Sequence, residues 1–125
     1  KGSLAGARDY GRGRFQGGRA IINWSEIQMI LASMAVMTKN AEMTVARACQ
    51  AVDNREKGWA QCSRAAAIQV PSMAAELTTD GIQVLGGVGY MKDFGQEKRF
   101  RDARHIQSLL GMVPMKKIRY LAPLI

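Results

Sequence analysis

Two stretches of this sequence place apolar or small residues at alternating steps of four and three. The first runs Ile27, Leu31, Met34, Thr38, Ala41, Val45, Ala48 and Val52. The second runs Trp59, Ser63, Ala66, Val70, Met73, Leu77, Asp80 and Val84. That rhythm is one face of an α-helix. Two helices of about 30 residues would each span about 45 Å. The polar stretch Asn54–Gly58 joins them and is too short for anything but a reversal, so they must lie antiparallel. Ser25 with Gln28 predicts a capping box at the first start, and Asn23 with Glu26 offers a second register. Pro71 lies inside the second helix, where it kinks the helix or frees a carbonyl. The run Gly86-Gly87-Val88-Gly89 stops that helix.

The flanks supply shorter helices. Residues 3–14 read as the end of a helix, followed by a glycine turn at Gln16-Gly17-Gly18. Residues 96–110 read as a further helix, with Phe100, Ala103, Ile106 and Leu110 apolar. Pro114 suits the first turn of a last one, with Ile118 and Leu121 inward. No stretch alternates with period two, so no sheet is expected. The expected fold is all-α, an antiparallel four-helix bundle of up-down-up-down order. A length of 125 residues allows one domain, residues 1–125. The chain starts Lys-Gly-Ser without Met and reads as cut from something longer.

Charge and composition narrow the function classes. The net charge is +8. Residues 1–19 hold five basic groups and one acid, while residues 20–91 hold five and six. A basic excess can serve nucleic acid, a membrane surface or an anionic cofactor, or simply be a solvated surface. Aromatics are only 6% and no finger or interleaved pattern is present, so nucleic acid is not expected. No apolar run approaches the roughly 20 residues of a membrane span. Cys49 and Cys62 make no disulfide framework or metal motif, and read as packing residues of a reduced, cytoplasmic protein. The single His105 cannot build a metal site alone. The eight Met residues fit a gap-filling core, with a flexible apolar wall for a fatty or aromatic group as the alternative.

Gly86-Gly87-x-Gly89 invites a nucleotide reading, but a Rossmann fingerprint must follow a strand. Here the glycines follow a helix. They are either a glycine-rich cap or a bare loop that lets a ligand approach, with Gln83 supplying an amide one turn earlier. The order of motifs changes the weight. Tyr10-x-x-x-Arg14-x-Gln16-x-Gly18 precedes Gln28 and Leu31-Ala32-x-Met34-Ala35. Then come Gln83-Val84-Leu85-Gly86-Gly87-Val88-Gly89-Tyr90, Arg101-Asp102-Ala103-Arg104 and Gln107. Over almost its whole length the chain resembles the C-terminal helical domain of flavin-dependent acyl-CoA dehydrogenases.

That resemblance implies FAD as cofactor, an acyl-CoA thioester as substrate and α,β-dehydrogenation as the reaction. It implies a homo-oligomer, dimer or tetramer, and an electron-transfer flavoprotein as a possible acceptor. It also implies an N-terminal helical domain and a middle β domain, both absent from this chain. Arg14 matches the arginine that meets the FAD pyrophosphate, and Gln16 lies in the same turn. Gln83, Gly86 and Gly87 match the segment lining a neighbour's FAD. An arginine fork suits phosphate, and glycine permits close backbone contact.

Two departures stand out. Gly17 replaces the family's Phe in the first turn, removing an apolar contact near the cofactor. Leu110 replaces the Glu that serves many members as catalytic base, and leucine accepts no proton. Some members carry the base on an earlier helix, which would lie upstream of this chain. The alternative is a paralogue of altered chemistry, or one serving only as an oligomerisation or flavin-binding module. His105 is poorly offset from Leu110 to act as base, and Glu97 and Asp102 read as structural.

Overall fold

The computed structural model describes residues 1–109 and 111–125. Five helices carry the chain: α1 Gly2–Gly13, α2 Ser25–Asp53, α3 Trp59–Leu85, α4 Gln96–Leu109 and α5 Val113–Leu121. The two periodic stretches are thus helices of 29 and 27 residues. The reversal between them is completed by Gly58, whose φ of +90° is left-handed. Helix α3 runs through Pro71, which has no N–H to offer the Ala67 carbonyl.

Pairs of touching residues fix the directions. Lys1 bridges Glu42 at 2.7 Å, while Tyr10, nine residues later, meets Ile27 across one cleft. Helix α1 therefore runs against α2. Ala48 borders Ser63 near the reversal, and Met37 shares a wall with Met73 and Leu77 further along. Helix α3 therefore runs back along α2, parallel to α1. Helix α4 closes the antiparallel four-helix bundle against α3, and α5 adds a short fifth helix. Gln61 of α3 ties α5 by donating from Nε2 to the Tyr120 carbonyl at 3.0 Å.

The core sits where α1, α2 and α3 meet. Ala7, Met34, Leu77, Val84 and Leu85 are buried together, with Leu4, Ile27, Ile30, Leu31 and Met37 packed on them. Met34 has no exposed surface. The gap-filling role holds for Met34 and Met37, whereas Met29, Met43, Met91, Met112 and Met115 are exposed. Cys49 is exposed and Cys62 half-buried, so only the second is partly a packing residue.

A buried polar knot joins α1, α3 and α4. Gln96 is 1% exposed. Its Nε2 donates to Ser3 Oγ at 2.7 Å and to the Thr78 carbonyl at 2.9 Å. Gln96 Oε1 is buried with no partner among the described residues. The three helices come this close because residue 81 is glycine. A Cβ there would overlap Gln96 Nε2 and Ser3 Oγ and lie 2.8 Å from Gln96 Cδ.

Several expectations are corrected. A minimal sheet exists: β1 Phe15–Gln16 pairs antiparallel with β2 Arg19–Ala20. Gly17 and Gly18 turn it with φ of +61° and +82°, the paired positive angles of a tight hairpin. Two-residue strands are too short to show alternation. Neither capping box forms, because the N-cap of α2 is Trp24 and carries no side-chain cap. Ser25 is instead the first helical residue, donating from Oγ to Glu26 Oε2 at 3.1 Å. On α4 Ala103 is buried and Phe100 half-buried, but Ile106 is exposed. On α5 Pro114 does lie in the first turn, yet Ile118 and Leu121 are exposed rather than inward. Val45 and Val52 of α2 are exposed as well. Periodicity locates an apolar face but does not supply the surface that covers it.

Candidate functional site

The hairpin after α1 and the glycine segment after α3 face each other across one end of the bundle. Between them lies a cleft of about 780 Å³. Arg14, Gln16, Gln83, Gly86 and Gly87, selected from two segments far apart in sequence, all line it. Its remaining walls include Tyr10, Gly17, Ile21, Trp24, Glu26, Ile27 and Met91. The volume lies in the usual range of small-molecule sites.

Arg14 ends α1. Its backbone N–H donates to the Tyr10 carbonyl at 2.9 Å, and its carbonyl accepts from Ile21 at 2.8 Å. The backbone at this corner is therefore held from both sides. Of the basic groups in residues 1–19, Lys1 pairs with Glu42, and Arg8 and Arg12 with Asp9. Arg14 and Arg19 have no carboxylate partner among the described residues. Arg14 thus brings an uncompensated guanidinium to the cleft, a fork suited to an anion.

The glycines of the opposite wall do three different jobs. Gly86 caps α3 with φ +64° and ψ −141°, a backbone state that side chains other than glycine avoid. A Cβ on Gly86 or Gly87 would meet no atom within 4 Å, so both expose bare backbone to open space. Gly89 is different: a Cβ there would lie 2.9 Å from the Ile82 carbonyl oxygen. It lets the 3₁₀ segment Gly86–Tyr90 fold back on α3. The segment caps α3 and leaves open space beside Gly86 and Gly87. Gln83 is exposed on the last turn of α3, and no hydrogen bond holds its amide among the described residues.

Two side chains of the site were not legible as site residues. Trp24 borders the cleft with its Nε1–H donating to the Gln16 carbonyl at 3.2 Å. The Arg19 guanidinium lies 3.7 Å from the centre of its ring. A Cβ on Gly17 would lie 2.8 Å from Trp24 Cζ2. The apolar surface that Gly17 does not supply is therefore provided beside it by an indole. Glu26 is the one acid of the lining. Its own backbone N–H and the Ser25 hydroxyl hold its carboxyl below the usual carboxylate range.

Residues 111–125 contain no Asp, Glu or His side chain. Asp102 is the last carboxylate of the chain. It accepts from Lys98 at 2.5 Å, and Glu97 accepts from Arg101 at 2.7 Å, so both acids are spent in exposed one-turn pairs on α4. His105 lines none of the cleft. Leu110, the position matching the usual base, lies outside the described residues. No group of acids, cysteines and histidine among the described residues could hold a metal. No described helix is long and apolar enough to cross a membrane.

Comparison with known proteins bears on the whole domain. The family described as acyl-CoA dehydrogenase, C-terminal domain, matches residues 2–113. "Probable acyl-CoA dehydrogenase fadE25" of Mycobacterium leprae is 32% identical over 118 residues, covering 94% of this chain and 30% of that protein. Cyclohex-1-ene-1-carbonyl-CoA dehydrogenase of Geobacter metallireducens is 32% identical over 111 residues, covering 89% of this chain and 29% of its own. Butyryl-CoA dehydrogenase of Megasphaera elsdenii superposes with a TM-score of 0.92 over 98% of this chain and 32% of its own, at 24% identity, a likeness of fold. The chain thus spans about a third of the length of the relatives it matches.

Proposed function

The chain belongs to the acyl-CoA dehydrogenase family as its C-terminal helical domain, and from that premise we propose that it forms one wall of an FAD site in an enzyme that dehydrogenates an acyl-CoA thioester. One observation carries this reading: the five residues that the family resemblance singles out, from segments separated by α2 and most of α3, line a single cleft. FAD, when bound, supplies the hydride acceptor. The residues fit it. Arg14 offers an unpaired fork to a diphosphate, Gly86 and Gly87 leave room for close approach, and Gln83 presents a free amide. The bundle contributes binding and orientation. Leu110 stands where many members carry the catalytic base, so the proton leaving the substrate would be taken by a base on another part of the protein. The exposed apolar faces of α2 and α5 support a homo-oligomer, dimer or tetramer, as do the family's assemblies. We place the enzyme in the cytoplasm in fatty-acid metabolism, with an electron-transfer flavoprotein as candidate acceptor.

The test is flavin binding and reduction by the full-length protein. Arg14→Gln should weaken FAD binding about ten- to a hundredfold, the loss of one charge-assisted contact of about 1.5–3 kcal/mol. Anaerobic bleaching of bound flavin by acyl-CoA thioesters should follow substrate addition. A full-length protein that neither carries nor takes up flavin would sink the reading. One that binds flavin but is reduced by no acyl-CoA would make it a binding module instead.

A further inference from the structure

The cleft contains an aromatic side chain that the core does not use. Trp24 belongs neither to the buried cluster of Ala7, Met34, Leu77, Val84 and Leu85 nor to the apolar residues packed on it. A large aromatic at a helix N-cap, outside the core, would ordinarily be free to move. Here it is pinned three ways. Its Nε1–H donates to the Gln16 carbonyl at 3.2 Å. The Arg19 guanidinium covers one face at 3.7 Å from the ring centre. Its Cζ2 edge sits over Gly17, where even a methyl group would come within 2.8 Å. Trp24 lines the cleft, whereas Arg19, which covers one face of its ring, does not.

We infer that Trp24 is the stacking platform for a planar ring of the nucleotide held in this cleft, and that Gly17 is glycine to let the indole lie there. The inference rests on the FAD reading and adds to it a named positioning residue. The physical reasons are three. A fixed aromatic loses little freedom on binding, so its stacking energy is kept. A guanidinium on one face draws on the ring's negative quadrupole and orders the plane. The cleft joins this platform to an unpaired arginine, the two chemistries a nucleotide presents as base and phosphate. Gly17 also cannot be replaced cheaply, because its φ of +61° disfavours other residues and its free side is occupied by the ring.

The experiment uses the full-length protein stripped of flavin, titrated separately with FAD, FMN and ADP, and followed by flavin fluorescence or calorimetry together with tryptophan emission. Trp24→Leu keeps apolar bulk but removes the π face, and Trp24→Phe keeps a smaller ring. Trp24→Leu should raise the Kd for FAD about five- to a hundredfold, in line with roughly 1–3 kcal/mol per stacked base. Trp24→Phe should lie between it and the parent protein. The quench of tryptophan emission on binding should fall in both. A loss confined to ADP assigns the ring as adenine, and one confined to FMN assigns it as isoalloxazine; either supports the platform. Circular dichroism melting of each variant separates lost stacking from lost folding, and Trp24→Phe carries the test if Trp24→Leu fails to fold. If folded variants bind FAD, FMN and ADP as the parent does, with the same quench, the platform is refuted while the FAD site stands. If the parent binds none of the three, the FAD reading fails instead.

Discussion

The crossing of α1, α3 and α4 makes Gly81→Ala a demanding test of the fold. In an ordinary helix interior this change stabilises by about 1 kcal/mol, because glycine is the more flexible residue when unfolded. Here the new methyl would overlap Gln96 Nε2 and Ser3 Oγ and lie 2.8 Å from Gln96 Cδ. All three atoms belong to buried side chains. Gln96 would have to move, giving up its bonds to Ser3 and Thr78, each worth about 1 kcal/mol net. Strain in the displaced helices adds about 1–3 kcal/mol. Set against the propensity gain, the balance is a loss of about 2–4 kcal/mol. Melting followed by circular dichroism should show a midpoint lower by something on the order of 10 °C for a domain of this size. The sharper measurement is the same change made in a Ser3→Ala, Gln96→Ala protein. There the obstacle is gone, and Gly81→Ala should become neutral or stabilising. An equal loss in both proteins, or a gain in the parent, would refute the reasoning.

The two cleft glycines should separate stability from binding. Gly86→Ala forces a side chain into φ +64°, ψ −141° and should destabilise by about 1–3 kcal/mol, read in a melting curve. Gly87→Ala has no such backbone demand and should melt like the parent while weakening FAD binding severalfold, because its methyl projects into open cleft space. Burial pushes the Asp80 carboxyl above its usual range, and Glu76 adds to the rise. The ionised form is therefore disfavoured in the fold, so stability is present at low pH and lost as pH rises through the unfolded and then the folded pKa. Asp80→Asn should raise the melting midpoint at neutral pH, with the difference fading in acid.

Much of this architecture could be read from the residues. Steps of four and three located α2 and α3, and Gly58 and Gly86 marked their boundaries, because backbone geometry is a local property. The grouping of Arg14, Gln16, Gln83, Gly86 and Gly87 was suggested for a different reason, the order of motifs shared with a family, and their lining of one cleft follows once α1 and α3 lie side by side. What stayed hidden depends on distant neighbours. Ser3, Gly81 and Gln96 show no local pattern, yet they set how closely three helices pass. The surroundings of Trp24 are set by the hairpin, which places Gly17 and Arg19 against it. Val45, Val52, Ile118 and Leu121 obey the rhythm of a buried face but are exposed, since rhythm does not say how far a partner helix extends.

The cleft is walled by residues 10–27 on one side and 83–91 on the other, and most of α2 and most of α3 lie between them in the chain. A molecule seated there touches both ends of that long excursion at once. It therefore acts on the chain as a removable cross-link, closing a loop that the unfolded polypeptide would leave open. At a hundredfold excess over its Kd such a ligand deepens the folded state by about 2.7 kcal/mol, comparable to many engineered disulfides. Cofactor supply and the survival of this bundle in its folded form are in that sense one variable.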